Sequence, residues 1–106
     1  MKKGPEDPKV HEQLMALRHR LRRQILQVFD RSDQPISPRE VSGKLEQPLS
    51  NVSYHVRVLA DCDAINLVDT RPVRGSVQHF YRSDPAFMGQ AWVRGVLGIG
   101  PATDSV

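Results

Sequence analysis

A chain of 106 residues has room for one domain and one core. With 39% hydrophobic and 25% charged residues it has the make-up of a globular protein. Its 15 Lys and Arg against 12 Asp and Glu leave a net charge of +3, which permits a nucleic-acid partner without requiring one. A single cysteine, Cys62, excludes an internal disulfide and a multi-cysteine zinc site and fits a reducing compartment. No apolar run approaches the roughly 18 residues of a bilayer span, and the first residues lack an apolar leader core. A cytoplasmic, nucleoid-associated protein with no membrane partner is therefore expected.

Residues 1–7 are polar and carry Gly4 and Pro5, so a flexible N-terminal arm is expected there. Asp7-Pro8 then reads as a helix cap with proline at the first helical position. Leu14, Leu17, Leu21, Ile25 and Val28 recur at spacings of three and four, which predicts one long helix ending near Asp30. The next start is better marked. Ser37-Pro38-Arg39-Glu40 combines a serine cap, a proline and a glutamate three residues on, and Ile36 and Val41 flank it as a hydrophobic staple. That short helix turns Val41 and Leu45 inward and breaks at Glu46-Gln47-Pro48. A third helix begins near Leu49 or Ser50, with Val52, Val56 and Leu59 inward, and exits at Asp61-Cys62-Asp63.

Beyond it the period becomes that of strands, over Ile65–Thr70 and Val77–Tyr81, with a turn from Arg71 to Ser76 between them. Asp84-Pro85 opens a last helix that places Met88, Trp92, Val96 and Ile99 on one apolar face. The order is helix, helix, helix, hairpin, helix. This is a mostly α fold with a β-hairpin wing, a winged helix-turn-helix. Its boundaries are predicted at 8–83 for the DNA-binding domain, 84–98 for a C-terminal helix and 99–106 for a flexible tail.

In such a layout the second helix of the pair enters the major groove, where each base pair displays its own donor and acceptor pattern. The outward residues there are Ser50, Asn51, Ser53, Tyr54 and Arg57. Asparagine can address an adenine edge, serine can bond bases or phosphates, and Arg57 suits a phosphate. The hairpin turn offers Arg71 and Arg74 to a phosphate or the minor groove. Ser37, Arg39 and the amides opening their helix form a third candidate phosphate contact. The run Arg18-His19-Arg20-Leu21-Arg22-Arg23 is the densest positive charge, and solvation, contact with flanking DNA or pairing with Asp61, Asp63 or Asp69 are its possible roles; solvation is the expected one.

Catalysis finds no constellation. His11, His19, His55 and His79 are scattered, and Asp61 and Asp63 beside Cys62 oppose a reactive thiolate, so a partly buried filler is expected there. No metal site, cofactor or effector is announced by any residue set, and no enzymatic activity is expected.

The string Val52-Ser53-Tyr54-His55-Val56-Arg57-Val58-Leu59 resembles the recognition helix of the ArsR-type winged helix-turn-helix regulators. Ala16-Leu17-Arg18-His19 with Ile25-Leu26, and Arg74-Gly75 with Phe80-Tyr81, resemble that family's preceding helix and wing, so the likeness covers about residues 14–82. The resemblance implies a homodimer that binds an imperfect palindrome in double-stranded DNA, usually as a repressor. It implies DNA contacts from Ser50, Asn51, Ser53, Tyr54 and Arg57, leaving the role of His55 open. It also implies dimerisation through the terminal helices, here by Leu14, Leu17, Met88, Trp92 and Val96. Three positions depart from the pattern. The helix Arg39-Glu40-Val41-Ser42-Gly43 has no cysteine and the last helix no histidine, which argues against metal sensing. Asp63 stands where a left-handed glycine is usual, and Arg20 where a proline is common. An alternative of another class is a winged helix that binds protein rather than specific DNA, in keeping with the modest charge and with Asp61, Asp63 and Asp69 near the wing.

Overall fold

A computed structural model describes residues 7–100, and the predicted arm and tail lie outside them except for Asp7, Ile99 and Gly100. Helix α1 (Pro8–Ala16) is capped by Asp7, whose carboxylate accepts from the Lys9 amide at 2.8 Å. The long helix expected from the leucine stripe is instead two. The chain breaks after Leu17, and α2 (Arg20–Arg31) starts afresh with His19 as its cap. Two arginines of the basic run hold this break. Arg22 donates to the Ala16 carbonyl at 3.3 Å, and Arg23 donates to the carbonyls of Leu17 and Arg18 at 2.8 and 3.0 Å. These are the orphan acceptors of a helix end, so much of the charge expected to be solvated is internal capping.

Helix α3 (Pro38–Leu45) opens with the expected capping box. The Glu40 amide donates to Ser37 Oγ at 3.3 Å, while Glu40 Oε1 accepts from the Ser37 amide at 3.1 Å. Ile36 and Val41, the staple pair, both join the core. After a left-handed Glu46, α4 (Leu49–Asp61) runs with Val52, Val56 and Leu59 fully buried. It ends in a Schellman turn: Ala64 donates to Leu59, Asp63 donates to Ala60, and Asp63 takes φ +64°.

Strands β1 (Ile65–Val73) and β2 (Ser76–Ser83) pair antiparallel with a bulge between Leu67 and Asp69. They run longer than predicted. The turn narrows to Arg74-Gly75, both with positive φ, a two-residue hairpin turn. A short bridge joins Ile36 to Tyr81 through two backbone bonds of 2.9 and 3.0 Å, tying the wing to the start of α3. The predicted single C-terminal helix is also two, α5 (Pro85–Met88) and α6 (Ala91–Leu97). Phe87, Met88, Val93 and Leu97 turn inward, and Val96 turns out.

The core gathers Ile25, Leu26 and Phe29 of α2 with Val41, Val52, Val56 and Leu59, closed by Val93 and Leu97. Burying one such leucine or isoleucine contributes about 1.5–3 kcal/mol. Helix α2 packs on α3, α4, α6 and β2, so the α3–α4 pair and the wing share one support. Ile99 also packs on the core, which extends order into the expected tail.

Candidate nucleic-acid interface

The α3–α4 turn is fixed by a backbone and a side-chain hydrogen bond between the same two residues. Gln47 donates its amide to the Ser42 carbonyl at 3.2 Å, and Ser42 Oγ donates back to the Gln47 carbonyl at 2.6 Å. Because Val52, Val56 and Leu59 are locked into the core, the helical period forces the opposite side of α4 outward. Ser50, Asn51, Tyr54 and Arg57 are exposed there, and Ser53 is half-buried. Tyr54 stands 57% exposed, an unusual outlay of aromatic surface for a residue with no covering neighbour.

Beside this face a groove of about 290 Å³ runs between the start of α3, α4 and the wing. Ser37, Arg39, Ser53 and Arg57 line it, which brings together four of the residues singled out from sequence. Ser37 is only 1% exposed and its hydroxyl serves the cap, so it shapes the groove from beneath. Gln78 and His79 of β2 line the same groove. Neither is expected from sequence, because alternation along a strand does not say which of its residues will meet α4.

The two wing arginines differ in setting. Arg74 is at the tip, with φ +47°. Arg71 lies within β1, opposite Gln78. Its Nε donates to Asp69 at 3.1 Å, and its guanidinium sits 4.6 Å from the centre of the Phe80 ring. Gln78, the cross-strand partner of Arg71, lines the groove with α4 together with Val77, His79 and Tyr81. Arg71 thus covers the ring of the buried Phe80 from the neighbouring strand.

His55 is 8% exposed, so it is the one residue of the recognition-helix string outside the apolar set that turns inward. Its Nδ1 accepts from Arg22 Nε at 3.1 Å, and its ring lies 4.3 Å from that of His19 and 5.1 Å from that of Tyr54. Burial pushes its pKa below the usual imidazole value, helped by the nearby His19 and Arg22. It braces α4 against the α1–α2 break. At the far end of α4, Gln13 donates to the Cys62 carbonyl at 2.9 Å, and Lys9 pairs with Asp63 at 3.3 Å. Cys62 is buried with its thiol directed at the Leu59 carbonyl, and burial raises its pKa. Among the described residues no group of three or more His, Cys, Asp or Glu could hold a metal ion, and no helix is long and apolar enough to cross a membrane.

Of the residues expected at a dimer contact, Leu17 and Met88 are core residues and Trp92 is half-buried against Phe87. Leu14 and Val96 are exposed.

A capped helix, a tight turn, a helix with a polar outward face and a hairpin tied beside it define a winged helix-turn-helix, the fold of DNA-binding transcription regulators. Residues 17–68 match the family model of a helix-turn-helix domain, a span that takes in α2, α3, α4 and the start of β1. Over that span the chain is similar to a helix-turn-helix domain, in agreement with its fold. A search of curated proteins finds no match.

Proposed function

We propose that this chain is a homodimeric, ArsR-like transcriptional repressor of bacterial type that binds an imperfect palindrome through α4 and takes no metal signal. The observation that carries the reading is the outward face of α4, where Ser50, Asn51 and Tyr54 stand exposed beside a groove lined by Arg39 and Arg57. Asn51, Ser53 and Tyr54 supply sequence preference, because amide and hydroxyl groups can match base edges. Arg39, Arg57 and the tip residue Arg74 supply phosphate contacts that set register. His79, on the groove side of the wing, joins them. Arg71 acts by stiffening the hairpin over Phe80.

Exposed Leu14 and Met15 on α1 and Val96 on α6 support a second copy as partner, since a dimer would remove them from water. The absence of cysteine from α3 and of histidine from α6 supports a regulator without a metal signal. Two of the three acids that would favour a protein partner at the wing have internal partners, Asp63 with Lys9 and Asp69 with Arg71.

The test is selection of bound duplexes from a random pool, then titration of the winner at several salt concentrations. An enriched inverted repeat bound far more tightly than scrambled DNA is the expected result. Lack of enrichment, with weak binding that vanishes in moderate salt, would refute sequence-specific regulation.

A further inference from the structure

A second hollow, of about 620 Å³, opens along α4, between that helix and the start of α2. Asn51 and His55 line it from α4, Arg20 and Gln24 from α2, and Gln47 from the α3–α4 turn. At the helical step of 100° per residue, Asn51 and His55 lie about 160° round α4 from Ser53 and Arg57. The exposed Ser50 and Tyr54 fall between these two flanks. A helix in the major groove has a phosphate backbone on each side of it. The groove with Arg39 and Arg57 serves one side, and this hollow stands on the other.

Its chemistry is that of an anion seat. Arg20 brings a fixed positive charge, and Gln24, Gln47 and Asn51 bring amide donors; no carboxylate is among the lining residues. The hollow on the other side of the α1–α2 break differs, since Glu12 and Asp61 line that one. Two histidines add directed donors. His19 Nδ1 accepts the Leu21 amide at 3.3 Å as the cap of α2, and His55 Nδ1 accepts Arg22 Nε–H at 3.1 Å. A neutral imidazole that accepts at one nitrogen carries its proton on the other. Both rings therefore present an Nε2–H. No buried side-chain nitrogen among the described residues lacks a partner, so the unbonded Nε2 of His55 reaches solvent.

We propose that this hollow seats one DNA backbone phosphate, held by Arg20 and the imidazole donors of His19 and His55, with Arg22 as the positioning residue that fixes His55 in its donating form. The inference rests on the DNA-binding reading and adds a second phosphate contact, on the flank of α4 away from the wing.

The experiment measures affinity for a short mixed-sequence duplex against salt for the full chain and for Arg20→Gln, Arg57→Gln and Arg22→Gln. Phosphate contacts are sequence-independent, so no operator is needed. Losing one neutralised phosphate lowers the slope of log affinity against log salt by about 0.9. Arg20→Gln is expected to show that loss once for each bound protomer, as is Arg57→Gln. Arg22→Gln is expected to keep the slope while binding several-fold more weakly. Its nitrogen-15 imidazole signals should move His55 from the pure Nε2–H form to a mixture, a change that a merely structural residue would not produce. A wild-type slope and affinity in Arg20→Gln beside a reduced slope in Arg57→Gln overturns the hollow and leaves the reading helix standing. Wild-type protein that fails to bind the duplex at all overturns both. A wild-type His55 that carries its proton on Nδ1 overturns the role given to Arg22.

Discussion

Asp63 offers a sharp check on how the reading helix ends. With φ +64° it occupies the left-handed region, where a β-carbon meets the following carbonyl and costs about 1–2 kcal/mol for an ordinary residue. Aspartate tolerates this better than most residues, and glycine escapes it. Asp63→Ala should meet the full steric penalty, losing about 1–2 kcal/mol. Asp63→Gly removes the strain but gives the unfolded chain about 0.4–1 kcal/mol of extra entropy, so the two changes nearly cancel. The contact between Asp63 and Lys9 is exposed at both partners and contributes little to either comparison. The predicted order is glycine close to wild type, with alanine below both by about 1 kcal/mol. This reverses the order found inside helices, where alanine exceeds glycine by about 1 kcal/mol. Urea unfolding of the three proteins reads the difference directly, and in a thermal melt each kcal/mol corresponds to about 4–8 °C for a domain of this size. Alanine equal to or more stable than glycine would refute a left-handed Asp63 and, with it, the Schellman exit that aims β1. Asp63→Asn keeps the backbone tolerance and loses the charge, so its small deficit should shrink as salt is added.

Three further outcomes are expected. Burial holds the pKa of His55 below the 6.5 of an unfolded imidazole, so its contribution to stability is whole above 6.5 and is lost as pH falls through its lower folded value. Urea midpoints measured from neutral to mildly acidic pH should fall, and His55→Gln should remove part of that fall; an unchanged slope would contradict the burial of the ring. Cys62 should resist iodoacetamide in the folded protein and react rapidly once urea is added, because its thiol is buried and its pKa raised. Arg74→Ala should flatten the salt dependence of DNA binding, whereas Arg71→Ala should lower thermal stability and leave the salt slope alone. Equal slopes for the two variants would show that the contacts of Arg71 with Asp69 and Phe80 do not govern its role.

The parts of the fold legible in the sequence were those where a local rule and the core agreed. Ser37 and Glu40 form a box whose spacing is unique to helix starts, and Val52, Val56 and Leu59 have a period that only a helix with one buried side satisfies. The α1–α2 break was not legible, because Leu17 continues the leucine stripe and stays buried after the chain has left the helix. What stops the helix is a histidine cap and two arginines that capture its carbonyls, and arginines in a row look the same whether they are solvated or bonded. The turn was read too long because Pro72 and Gly75 both suggest one. Pro72 instead sits in β1, whose one partner is β2, and an edge strand tolerates the missing donor. Met88, Trp92 and Val96 keep a perfect spacing of four that the break at Gly89-Gln90 destroys, which moves Val93 and Leu97 inward. Asn51, Tyr54 and Arg57 were readable as an outward set from helical period alone. The flanking residues Arg20, Gln24 and His79 were not, since they reach α4 from other elements, α2 and β2.

The same contacts explain why the densest basic run does not lie on the outward face of α4. An arginine spent on Ala16 and His55 cannot also meet a phosphate with those atoms, yet it decides where α4 sits. Helix α4 is gripped twice from the N-terminal side of the chain: near its middle by Arg22 through His55, and at its exit by Gln13 and Lys9 of α1. Val10, Gln13 and Ala16 are the buried side of α1, and Leu14 and Met15 are its exposed side. One short helix thus holds the exit of the reading helix with one face and offers apolar surface with the other.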